Sequence, residues 1–187
     1  MKTGLHKLLV ALFCMVTGAI LCQSQDLGRV RLQVLAGGNV PFAFNTIDKY
    51  ENGISYPNYT IFGLTVEDTG AVTMPRDWEI EFRATNASGF IDGDAGNTLL
   101  FSTLRLTGSI NAGFAGWGVL TYGPLDLTGA DQIIAEDADM DDVPSEEPTS
   151  PTDQIAITYD CGTVVPLLGS PADFYGVDIL FTFTVNF

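Results

Sequence analysis

Imidazole is nearly missing from this chain: its 187 residues include one histidine, His6. His6 falls in residues 1–24, which read as an export leader, so the exported chain is expected to hold none. That excludes Ser-His-Asp and Cys-His mechanisms and removes the usual zinc ligands. Cysteine is almost as scarce. Of three, Cys14 and Cys22 lie in the leader, and Cys161 alone cannot close an internal disulfide even in an oxidising compartment. The fold must therefore be held by an apolar core, which a single domain of this length can build. Cys161 reads as one small buried member of it.

Cations are the third shortage. Eight Lys and Arg face 23 Asp and Glu, a formal net charge of −15. Losing Lys2 and Lys7 with the leader makes the balance two charges more negative. Lys49 is then the only lysine, and no basic residue follows Arg105. Nucleic acid, which needs clustered cations against its phosphates, is excluded as a partner. Long hydrophobic runs are missing too. The apolar stretch at 8–21 is shorter than the roughly twenty residues that span a bilayer, and none of that length follows it, so no stable membrane span is expected. Small side chains at Cys22 and Ser24 predict cleavage before Gln25, with acylation of Cys22 as the alternative. There is no Walker loop, no GxGxxG after a strand, no GxSxG and no CxxC.

What the sequence does contain is period-two alternation. In residues 177–187, Val177, Ile179, Phe181, Phe183, Val185 and Phe187 fall on one side of an extended chain, and mostly polar residues fall on the other. Residues 78–84 repeat the pattern, with Trp78, Ile80, Phe82 and Ala84 inward and Glu79, Glu81 and Arg83 outward. Further strands are expected at 27–35, 59–67, 99–106 and 155–159, and from the glycine-rich run at 110–123. Residues 45–58 and 85–97 read as polar turns and loop. The expectation is an all-β chain: one antiparallel β-sandwich of immunoglobulin-like or pilin-like type over 25–187, with eight or nine strands and no helix. Residues 129–154, rich in acid and proline, are expected as an exposed acidic loop, within which 132–135 is a candidate start of a short strand or helical turn.

Two acidic clusters have the spacing of oxygen ligands. Asp137, Asp139 and Asp141 alternate, although without the glycine and glutamate of an EF-hand at positions 142 and 148, and Asp92 and Asp94 flank a glycine turn; both are candidate calcium sites. Calcium is the only candidate cofactor. Carboxylates are numerous enough for a glycosidase pair, but their crowding into one stretch reads as solvated surface, and no enzymatic activity is expected. Trp117 and Tyr122, with Tyr56 and Tyr59, are the candidate ligand-stacking aromatics. Asn58 and Asn86 each begin a glycan-acceptor triplet.

The closing run Phe174-Tyr175-Gly176-Val177-Asp178, leading into Ile179 to Val185, resembles the terminal strand of secreted pilin-like β-sandwich proteins such as spore coat protein U-like domains. The leader and overall texture are similar to small surface sandwich proteins of Bacteroidota. The resemblance implies a secreted or cell-surface structural or adhesive protein that contacts other surface proteins, or itself, by strand addition at a sheet edge. Residues 27–35 are then either a donated arm or the first strand of the chain's own sandwich. The alternatives are a carbohydrate- or calcium-binding extracellular module and a small outer-membrane β-barrel.

Overall fold

The computed structural model describes residues 29–67, 77–114, 118–137 and 151–186. The expected leader, Trp117, Asp139 and Asp141 lie outside the described residues. The elements, in chain order, are β1 (Arg29–Ala36), α1 (Ile47–Asn52), β2 (Ile54–Glu67), β3 (Asp77–Ala84), β4 (Phe90–Gly93), β5 (Thr98–Leu100), β6 (Leu104–Ala112), β7 (Val119–Thr121), β8 (Leu125–Asp126), β9 (Gln132–Asp137), β10 (Asp153–Cys161), β11 (Tyr175–Gly176) and β12 (Ile179–Asn186). One sheet runs β1-β2-β10-β6-β8, a second β12-β3-β9-β7, and a small third β11-β4-β5. All pairings are antiparallel. The all-β sandwich is thus the fold that forms, with twelve strands among the described residues instead of eight or nine. The additional ones are bridges of two to four residues that carry too little alternation to be seen in sequence.

The two larger sheets are held together by one apolar interior. Strand β3 sits inside its sheet between β12 and β9, and its alternation is realised in full: Trp78, Ile80 and Phe82 are wholly buried and Ala84 nearly so. Opposite them stand Phe62 and Leu64 of β2, Leu106 of β6, and Ile155 and Ile157 of β10. Each such side chain contributes about 1.5–3 kcal/mol when fully buried. In β12 the expected phase is also found. Ile179, Phe181, Phe183 and Val185 pack on the core, but as an edge strand they are half-buried, and Leu180 on the other face is 42% exposed. The Phe181 ring lies 4.7 Å from Phe62 across the interior.

Of the two readings of residues 27–35, the first strand is the one found: β1 pairs along β2 at the edge of its own sheet. Three expectations need correcting. Residues 45–58 contain a helix. The Thr46 hydroxyl accepts the Lys49 N–H, and Gly53, at φ 76°, ends the turn by donating its N–H to the Lys49 carbonyl. The strand expected over 99–106 is cut by a 3-10 turn at Phe101–Thr103, so that β5 and β6 serve different sheets. Finally, the acidic loop is shorter than 129–154, because Ile133, Ile134 and Ala135 draw residues 132–137 into β9 with Ile134 and Ala135 wholly buried.

The two flanks of the sandwich differ. On one, β7 leaves the second sheet, passes a cis Gly123–Pro124 peptide and enters the first as β8. Here the Gly108 N–H donates to the Tyr122 carbonyl (2.8 Å) and the Tyr122 N–H to the Ile134 carbonyl (3.0 Å), tying β6 to β9. A Cβ at Gly108 would sit 2.5 Å from the Ile134 oxygen, so glycine is what permits this approach. On the other flank β1 and β12 end their sheets as neighbouring strands of eight residues each, with no strand between them among the described residues. No described helix is long and apolar enough to cross a membrane.

Phe82 tests this packing directly. Phe82→Ala is expected to lower stability by about 3–5 kcal/mol in equilibrium denaturant unfolding. A loss below about 1 kcal/mol would contradict the burial assigned to β3.

Candidate functional site

On the open flank the interior is reached by a cleft of about 840 Å³. Its walls are Val34 of β1 and Ile179 and Phe181 of β12, its floor includes Phe62, Tyr159 and Cys161, and residues 37–45 and 170–178 form its rim. The cleft exists because β1 stops at Ala36. Gly37, at φ 69°, turns the chain off the sheet where a Cβ would meet the Tyr59 carbonyl oxygen at 2.2 Å. The apolar residues 40–44 that follow lie outside the sheet, and Phe42 and Phe44 pack on the core from the rim.

The floor is chemically quiet. Tyr159 O–H donates to Thr60 Oγ1 (3.0 Å), and the Thr60 hydroxyl donates to the Gly37 carbonyl (2.6 Å). Burial raises the pKa of the Tyr159 hydroxyl, against the opposing effect of the Thr60 bond. Burial also pushes the Cys161 thiol up to about 12. The nucleophilic, metal-binding thiolate is thus disfavoured at neutral pH.

The candidate aromatics separate. Tyr56 and Tyr59 come together with ring centroids 5.3 Å apart, and Phe42 stacks on Tyr56 at 5.0 Å, making a row of three half-buried rings. Phe42 was invisible to sequence reasoning because its partner is fourteen residues away on another segment. Tyr122 stands on the closed flank, where its O–H donates to the Glu136 carboxylate. That bond raises its pKa, with partial burial and the Glu136 charge adding to the effect. Trp78 belongs to the core, stacked with Phe114 at 5.6 Å.

The candidate acids separate as well. Asp137 is buried in β9 at 3% exposure. Asp92 is exposed, and its carboxylate accepts from Asn86 Nδ2 (3.0 Å) and Ser88 Oγ (2.9 Å). Asp94 is exposed in the β4–β5 turn and donates its N–H to the Phe174 carbonyl. Among the described residues no three His, Cys, Asp or Glu side chains gather as a metal site. The acid that organises this region is one the sequence did not single out. Asp173 accepts the N–H groups of Ala95 (3.0 Å) and Phe174 (2.8 Å) and the Asn97 side-chain amide (3.0 Å). Desolvation raises its pKa, but these bonds outweigh it and hold the carboxyl below its ordinary value. A Cβ at Gly93 would lie 2.2 Å from Asp173 Oδ2, which explains the glycine in that turn.

No protein-family model matches the chain, and none of the curated proteins aligns with it.

Two measurements check this site. Native protein at neutral pH is expected to leave Cys161 unalkylated by iodoacetamide until denaturant is added; rapid native labelling would contradict the buried, protonated thiol. Asp173→Asn is expected to lower the melting temperature at pH 7. Because a depressed carboxyl stabilises above its unfolded pKa and loses that effect on protonation, the difference from wild type should shrink as pH falls below about 4. A difference independent of pH would refute the assignment.

Proposed function

We propose that this is a non-enzymatic exported or cell-surface β-sandwich protein that acts through protein–protein contact along the open flank. The observation that carries the reading is that β1 and β12 end their sheets side by side while exposing large apolar side chains. Val30 is 42%, Val34 53% and Leu180 42% exposed. An edge strand offers a row of backbone donors and acceptors to a partner, and natural sheets usually blunt such edges with prolines, lysines or bulges. Neither strand contains a proline or a lysine, and the bulge in β1 falls only at its end, between Val34 and Ala36, leaving Arg29 to Val34 in regular register. The non-enzymatic part is supported by the protonated Cys161 and by the lack of histidine after position 6.

A second reading, carbohydrate binding, is favoured by the Phe42, Tyr56 and Tyr59 row, since stacked rings suit sugar faces. Silence on a glycan array, or binding left unchanged by Tyr56→Ala, would discard it.

The contact reading is tested in the cells that make the protein by placing a photo-crosslinking residue at Val30 or Leu180, with exposed Asn111 of β6 as control. Protein adducts are expected from the two flank positions and not from Asn111. Equal yield at all three, or none at the flank, would defeat the reading.

A further inference from the structure

The cleft on the open flank has the size and lining of a small-molecule site. Its volume of about 840 Å³ falls within the roughly 300–1,000 Å³ of such sites, and Phe62, Ile91, Leu99, Leu104, Leu167 and Phe181 give it an apolar interior. An added strand fits it poorly. The rim residues 37–45 and 170–178 belong to neither of the two larger sheets, so a strand laid there finds no continuous backbone edge to pair with. What enters the cleft is thus a separate question from what pairs along β1 and β12, and its answer does not depend on the contact reading.

Charge and aromatic rings narrow the answer. Asp173 and Asp178 line the cleft, and no lysine, arginine or histidine does. The bonds that Asp173 accepts from Ala95, Phe174 and Asn97 stabilise its charged form, and Asp178 is exposed. One base touches the rim from outside: the Lys49 amine donates to the Ala43 carbonyl (3.2 Å), with exposed Asp48 and Glu51 beside it on α1. Four acids therefore face one base. Aromatic side chains stand among them. Phe44 and Tyr50 have ring centroids 5.5 Å apart, Phe174 is 84% exposed, and the Tyr175 hydroxyl is tied to the Pro171 carbonyl (2.8 Å). Ring faces attract cations, carboxylates add to that attraction, and the chain's net charge of −15 draws cations toward it. A carboxylate or phosphate of the same shape would meet repulsion, and a neutral oil would leave the rim unused.

We propose that the cleft binds an organic cation, a small molecule whose apolar body lies against the core side chains while its ammonium-type head sits at the rim among the rings and Asp173 and Asp178. The site binds without chemistry, in keeping with its hydrogen-bonded Tyr159 and Thr60 hydroxyls and its buried thiol.

The test is a residue-resolved NMR titration of the protein with three probes that share one tail: octyltrimethylammonium, 1-octanol and octanoate. The ammonium probe is expected to bind with a Kd of about 1 mM or tighter, about tenfold tighter than the alcohol, and octanoate is expected not to bind. Its shifts should centre on Gly37, Phe174 and Val177. Asp178→Asn is expected to weaken the ammonium probe about threefold or more and to leave the alcohol unchanged. Val34→Trp places a large side chain on the cleft wall at a half-exposed position and is expected to abolish binding of both. The probe series is read on wild type, so it decides the question even if Val34→Trp fails to fold. Alcohol or octanoate bound as tightly as the ammonium probe, no binding by any of the three, or ammonium shifts spread over the acidic surface and unchanged by Asp178→Asn would overturn the organic-cation site. None of these results bears on the flank crosslinks, which test the contact reading separately.

Discussion

Everything else in the structure depends on the burial of one face of β3 against the inner faces of β2, β6 and β10. Trp78, Ile80 and Phe82 have no exposure, and the one cysteine among the described residues, Cys161, is free, so the described fold is held by this packing. The outward faces of the same strand carry Glu79, Glu81 and Arg83, so the alternation fixes both what is buried and which surface is acidic. Glu79 stands in register with Glu136 of β9. Its carboxyl pKa is raised by partial burial and by the charges of Glu81, Asp77 and Glu136. The outer face of the second sheet therefore carries a standing repulsion that the core must offset.

The same interior explains why the two flanks differ. A sandwich closes where a strand can pass from one sheet to the other. The short β7–β8 crossing does this by bringing backbone against backbone at Gly108, Tyr122 and Ile134. No equivalent crossing joins β1 to β12 among the described residues. The gap at one end of that flank is the cleft, roofed by a chain that Gly37 turns away from the sheet. Its floor hydroxyls satisfy one another, and its thiol is held protonated. A reactive centre needs the opposite arrangement, with groups shifted toward reactivity. Contact along this flank is the proposed use of that arrangement.

Sequence reasoning reached what is local and periodic. The phase of β3 and β12, the burial of Cys161 and the all-β class follow from alternation and composition, since a half-buried strand must segregate its side chains every second residue. It missed what depends on residues far apart in the chain. Asp173 looks like any surface acid until Ala95 and Asn97 are brought to it, and the cleft is built from segments more than a hundred residues apart. Helix α1 is six residues long, signalled by its caps at Thr46 and Gly53 and not by any apolar stripe. Asp137 was read from its acidic neighbours, whereas the apolar Ile133, Ile134 and Ala135 before it decide its place in β9.

Hydrogen–deuterium exchange followed by residue tests the central claim most directly, because it reads both flanks in one experiment. The account predicts slow exchange at Gly108 and Tyr122, which tie the closed flank, and fast exchange at alternate amides of the edge strand β1. Equal protection along both flanks would contradict it.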